Sequence, residues 1–255
     1  YERLGVGHGT RLLGLGCGSG LALLMAAARG ADVTGVEADP YRRALARARL
    51  APAQQQAVEG RFPPPGPARH TSVPVWGARP RAEVLASLPE PGSGRRFTLV
   101  TLLEGVNALE EPERLLARAA GLARRGSPVV VAGWGPPERC RTEQVVRLAA
   151  RLGEPGAGTA ADPFRLSGPG ELEALAARAG LRPEGSERVA CPFAYPDMDS
   201  AVRGLYSTGM FDAAARATEE EQVKKELAEA LHDFRLPDGS VRMDNVFRYT
   251  VASVV

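Results

Sequence analysis

The run LLGLGCGSGLALLMAAARGADVTGVEADP, from Leu12 to Pro40, constrains the fold more than any other part of the chain. Arg11 to Leu15 is a short apolar run of strand length. Ser19 to Arg29 has the length and the Ala/Leu content of a helix, and Gly30 follows as its stop. Asp32 to Glu37 reads as a second strand. Asp39 then caps a second helix, with Pro40 at its first position, where no backbone N–H is missed. That helix is expected to end near Leu50. The order β-α-β-α predicts parallel strands joined by crossover helices.

Gly16, Gly18 and Gly20 fall between the first strand and its helix. Glycine there allows a sharp turn and a close approach of backbone to ligand, and the helix start offers free N–H groups to an anion. The spacing is GxGxG. A dinucleotide fingerprint counted from Gly14, Gly16 or Gly18 needs a third glycine where Ser19, Leu21 or Leu23 stands, so no register fits. Glu37 ends the second strand about 20 residues after the loop, where an acid accepts hydrogen bonds from ribose hydroxyls.

The rest of the chain is less regular. Ala51 to Ser72, with its FPPPGPA cluster, is expected to be a loop. Val73 to Trp76 is a candidate third strand and Pro80 to Leu88 a candidate short helix. Phe97 to Leu103 and Pro128 to Trp134 read as buried strands. Pro112 to Arg125 and Gly170 to Ala179 read as helices. Glu187 to Phe193 is expected to be a strand. Met198 to Tyr206, Phe211 to Ala217 and Glu219 to Phe234 are expected to be helices, and Asn245 to Val255 a final strand. The segments 135–165 and 191–236 are additions beyond a minimal α/β core.

At 255 residues, 44% of them hydrophobic, the chain suits one α/β domain with an added cap. Its 32 basic and 30 acidic residues leave a net charge of +2, no footprint for nucleic acid. Cys17, Cys140 and Cys191 are odd in number and far apart, which fits neither a disulfide framework nor a zinc spacing. A reducing cytoplasm is the expected compartment. No apolar run reaches the roughly 18–20 residues of a membrane span, and no signal peptide is legible. The chain opens at Tyr1, which leaves open a preceding segment.

GLGCGSG followed by GVEADP resembles the first two cofactor motifs of the class I S-adenosylmethionine-dependent methyltransferases. FTLVTLLEGVNAL resembles their fourth-strand motif, beside the methionine end of the cofactor. SPVVVAGWG resembles the fifth strand, and DGSVRMDNVFRYTVASVV the antiparallel seventh. The resemblance covers most of the chain, most strongly residues 11–50 and 97–135, and is nearest to small-molecule enzymes of bacterial secondary metabolism. It implies a Rossmann-like, seven-stranded α/β fold. Residues 1–255 then form one domain, with a mostly helical cap inserted at 191–236. It further implies S-adenosylmethionine held by Gly14, Gly16, Cys17, Gly18, Gly20, Glu37, Ala38, Ala78, Leu102 and Leu103. A small hydrophobic or aromatic metabolite is the implied substrate, with no nucleic-acid or membrane partner. The oligomeric state is left open, a dimer being one option.

Three positions depart from the family pattern. Gly14, Ala78 and Thr98 stand where the family carries acids in the first strand, after the third and at the start of the fourth. A hydrogen bond is worth roughly 0.5–1.5 kcal/mol, so losing two weakens the cofactor by about 10–100-fold. The departures motivate an alternative: a methyltransferase-like protein that catalyses a cyclisation, rearrangement or elimination, or only binds a ligand. Glu104, after the fourth strand, is a candidate replacement acid.

Methyl transfer asks a protein mainly for alignment, with a base for some nucleophiles. The candidate bases are His8, which precedes the first strand near where the cofactor pocket is expected to open, Glu104 and Tyr195, then His70, His232 and Tyr206, and none is assigned. Trp134 faces either substrate or core, and Phe193, Tyr195, Tyr206 and Phe211 suit a cap over an apolar substrate. Asp197 and Asp199 lack further ligands, so no metal is expected.

Overall fold

Arg11–Leu15 (β1), Asp32–Val36 (β2), Ala82–Leu85 (β3), Leu99–Leu102 (β4) and Pro128–Trp134 (β5) are apolar runs too short for helices. In the computed structural model they pair in parallel, in the order β3-β2-β1-β4-β5. The structure describes residues 1–59, 81–90, 92–103, 105–153 and 162–255, and for 52–59 and 108 it describes the backbone. Leu181–Ala190 (β6) and Val246–Val254 (β9) complete a seven-stranded sheet, with β9 antiparallel to both β5 and β6. Phe193–Tyr195 (β7) and Val241–Met243 (β8) form a separate antiparallel pair. This is the Rossmann-like, seven-stranded α/β fold.

Helices cover the sheet because strands buried on both faces need two apolar layers. Leu21–Ala27 (α1) and Pro40–Glu59 (α2) lie over one face, where Leu23, Ala26 and Ala46 pack on Leu12, Val33 and Leu99. Pro112–Ala120 (α3) lies over the other. Thr142–Leu152 (α4) does not pack on the sheet; Glu171–Arg178 (α5) does, beside α3, through Leu172 and Leu175. Met198–Tyr206 (α6), Asp212–Ala217 (α7) and Glu220–Ala230 (α8) join α4 around a separate apolar core. Val145, Leu148, Leu205, Phe211, Val223, Leu227 and Met243 build that core, so α4 and β8 pack with the 191–236 segment.

Several expectations are corrected. The candidate strand at 73–76 lies outside the described residues. The third strand is β3, inside the stretch expected to be a helix. Its Ala, Glu and Leu favour a helix in isolation, but pairing with β2 overrides propensity. Arg47 of α2 donates to the Val84 carbonyl at 2.7 and 3.1 Å. Burial raises the Glu83 carboxyl, but hydrogen bonds from Arg95 and Thr34 prevail and hold it below its usual range. Helix α2 runs on to Glu59 past the expected end at Leu50. Strand β6 begins at Leu181, six residues earlier than expected, because its residues are exposed and carry no apolar alternation.

Gly20 is a tight junction between the glycine loop and α2. Its φ of +80° is left-handed, and a Cβ there would stand 2.9 Å from Ala46 Cβ. Gly20→Ala is expected to lower unfolding free energy by about 1–3 kcal/mol, read by denaturant titration. An unchanged midpoint would refute this packing.

Candidate active site

The carboxyl ends of β1, β2, β4 and β5 share one pole of the sheet, and the strand order reverses between β1 and β4. Open α/β sheets take their ligands at such a pole. Gly16, Gly18 and Gly20 all have positive φ there, so three turns fit into a few residues. The loop is tied down by its own amides. Cys17 N donates to the Val36 carbonyl at 3.1 Å, and Gly20 N to the Cys17 carbonyl at 2.8 Å.

Glu37 joins the two turns. It is only 8% exposed, and its Oε2 accepts from Gly18 N at 2.8 Å while Oε1 accepts from Asp39 N at 3.0 Å. A carboxylate offers about four acceptor positions, so two remain for the hydroxyls of a ribose. Asp39 caps α2 through Arg42 N at 2.7 Å, and Arg43 clamps the carbonyls of Glu37 and Ala38 at 2.8 Å each. Ala38 is exposed beside the carboxylate, with Leu103 partly buried and Leu102 fully buried across the pole.

At the other end of the loop, Gly14 has no room for an acid. A Cβ on Gly14 would stand 2.8 Å from Leu23 Cδ2, and one on Gly35 would stand 2.5 Å from Leu23 Cδ1. Leu23 thus fills the space over two glycines of adjacent strands. Thr98 has another use as well: its hydroxyl accepts from Arg11 N at 2.9 Å and fastens the start of β1 to β4. Ala78 and Glu104 lie outside the described residues. The residues that follow β3 are Ala86, Ser87 and Leu88, none of them acidic.

The candidate bases scatter. His8 was expected near the pocket mouth, but it packs over Gly30 at the amino end of β1, the opposite pole. The Tyr195 ring lies against Gly204 of α6, and burial pushes its phenol above the ordinary value, away from a base at neutral pH. Tyr206 stacks on Phe211 at 6.4 Å, and Phe211 is buried in the cap core. These rings are spent on cap packing. His232 lines a surface groove with Lys225, Glu229 and Arg235, and His70 lies outside the described residues. Asp197 is the N-cap of α6, accepting from Ser200 N at 2.7 Å. Among the described residues no group of three His, Cys, Asp or Glu is placed to hold a metal.

Phe193 packs against the cap core and also meets Trp134. Around Trp134, at the end of β5, the ring centroids of Phe247, Phe164 and Phe193 lie at 4.5, 5.5 and 5.8 Å. Phe164 and Phe247 were not legible as site residues, because 164 follows an irregular segment and 247 reads only as strand. The turn carrying Phe164 is pinned by Arg165 to the Leu109 carbonyl at 2.9 Å. Buried Arg248 pins the same segment through the Ser167 carbonyl at 3.0 Å.

Residues 13–131 match the family model described as a methyltransferase domain. No curated protein matches the chain. Among solved structures it is similar to the [4+2]-cyclase SpnF, with a TM-score of 0.56 and 17% identity over 99% of this chain and 78% of that one. It is also similar to a putative methyltransferase of Bacillus halodurans C-125, with a TM-score of 0.54 and 13% identity over 99% and 95%. A third likeness is to geranyl diphosphate methyltransferase in complex with S-adenosylmethionine, with a TM-score of 0.50 and 15% identity over 100% and 82%. At such identities the likenesses establish the fold.

The Leu23 plug makes its own prediction. Gly14→Ala is expected to cost about 1–3 kcal/mol by overpacking. In a Leu23→Ala background most of that cost is expected to vanish, and a double-mutant cycle on unfolding free energies reads the coupling. Additive costs would show that Leu23 does not occupy the space.

Proposed function

We propose that the chain is a class I S-adenosylmethionine-dependent methyltransferase, a reading supported by the match of residues 13–131 to a methyltransferase domain, and that it methylates a small hydrophobic or aromatic metabolite. The metabolite is of the secondary-metabolism kind, and the reaction belongs to the cytoplasm. No helix among the described residues is long and apolar enough to cross a membrane. The observation that carries the proposal is the buried Glu37 carboxylate bonded to Gly18 N at the ligand pole, with acceptor positions to spare.

The residues fit the ribose end of the cofactor and depart at the methionine end. When bound, S-adenosylmethionine supplies a methyl group already activated on a sulfonium. Glu37 then holds the ribose hydroxyls, and the left-handed glycines let the loop backbone lie close against the ligand. Leu102 and Leu103 supply an apolar floor at the end of β4. The chain's main task is alignment, which supplies several kcal/mol on its own. The helical group around 191–236 acts as the cap over the acceptor.

A second proposal is favoured by Gly14 and Leu23. With that space filled by an alkyl group, the methionine part loses a partner, and the same pole of the sheet then serves a cyclisation, rearrangement or elimination, or ligand binding alone. Fold does not decide between them.

Calorimetric titration with S-adenosylmethionine and S-adenosylhomocysteine tests the first proposal. Micromolar binding is expected, weakened at least about 10-fold by Glu37→Ala, which removes two charge-assisted acceptor positions. No binding to native protein up to millimolar would overturn methyl transfer in favour of the second proposal. Unchanged affinity in Glu37→Ala would overturn the site assignment.

A further inference from the structure

Asn107 follows β4 and is buried at 6% exposure. Its side-chain amide is half satisfied. Nδ2 donates to the Pro163 carbonyl, and since that carbonyl can only accept, the contact fixes which end of the amide faces it. Oδ1 is buried and has no hydrogen-bond partner. Buried polar atoms almost always find partners, so an unpaired acceptor in a folded core requires a reason.

Its surroundings supply one. Pro163 precedes Phe164, whose ring meets Trp134 edge-on at 5.5 Å. Asn107 Nδ2 lies 4.0 Å from where a Cβ on Gly133 would stand, and Trp134 is the next residue. The amide therefore sits between the two chain segments that carry these rings. Phe193 and Phe247 complete the aromatic group, and all four rings keep part of their surface open. Apolar walls with one placed polar group are how small-molecule sites orient a ligand.

We propose that Asn107 Oδ1 receives a hydroxyl or N–H of the acceptor, whose flat apolar body rests on Trp134, Phe164, Phe193 and Phe247. This rests on the acceptor site lying at the end of β5. The substrate class is then an aromatic or polyunsaturated molecule with a hydrogen-bond donor. Asn107 sets specificity: an amide oxygen accepts the donor without taking its proton. Without ligand the oxygen is shut away unpaired, so a donor that reaches it as the rings part gains a full hydrogen bond. An analogue lacking the donor leaves it unpaired.

Matched pairs test this on the full chain: 7-hydroxycoumarin against 7-methylcoumarin, and indole against 1-methylindole, each by calorimetric titration. The donor-bearing member of at least one pair is expected to bind about 10-fold more tightly. Asn107→Leu is expected to bring that ratio close to one while keeping the affinity for the donor-free member. Trp134→Leu is expected to weaken both members and keep the ratio. If Asn107→Leu does not fold, the native ¹⁵N-labelled protein serves: 7-hydroxycoumarin is expected to shift the Asn107 side-chain amide resonances, and 7-methylcoumarin to leave them in place. Equal affinities within both pairs, a ratio unchanged in folded Asn107→Leu, equal resonance shifts, or no binding up to millimolar would each overturn the proposal. S-adenosylmethionine is titrated into the same samples. Its failure to bind native protein would overturn methyl transfer alone, and donor discrimination would still stand.

Discussion

The hydrogen bond from the Gly18 amide to the buried Glu37 carboxylate ties the turn leaving β1 to the turn leaving β2. Everything at the ligand pole is hung from it. The β1–β2 register, with Leu15 opposite Val36, delivers both turns to the same height. The left-handed glycines bring the Gly18 N–H around to face the acid. Glu37 in turn accepts from Asp39 N, next to the cap of α2, so one carboxylate sets the loop and the start of a helix together. Burying that charge is affordable because two backbone donors meet it.

One leucine decides how the loop departs from the methyltransferase pattern it resembles. Leu23 reaches over Gly14 in β1 and Gly35 in β2, and neither strand has room for a side chain beneath it. The glycine at position 14 is therefore part of a packing arrangement: two glycines admit one large alkyl group between the strands and α1. Thr98 is a different case. Its hydroxyl took on the Arg11 amide, a structural duty between β1 and β4.

The parts of this arrangement that were legible in sequence are those fixed by local chemistry. Glycines at 16, 18 and 20, an acid ending β2, and Asp39 before Pro40 act within a few residues, and the structure places them as spacing implies. What was not legible depends on contacts far apart in the chain. Ala82–Leu85 carries helix-favouring residues and is a strand only because β2 and Arg47 are there to meet it. Helix α4 packs with segments fifty or more residues later, which no window around 142–152 reveals. His8 precedes β1 by three residues, yet a strand has two ends, and sequence proximity placed it at the wrong one.

The aromatic residues of the C-terminal third divide by what their neighbours demand. Phe211 and Tyr206 are consumed by a core that α4, α6, α7 and α8 need in order to stand off the sheet at all. Tyr195 is taken up against Gly204 of α6. Phe193, two residues earlier on β7, packs against the same core and also meets Trp134 at the end of β5. Strand alternation puts neighbours on opposite faces, so residues 193 and 195 share a face. The 191–236 segment thus shares an apolar core with α4 and β8 and meets the sheet through Phe193. An apolar core separate from that of the sheet lets one region vary without disturbing the other, which is why a shared α/β architecture does not by itself fix what is bound.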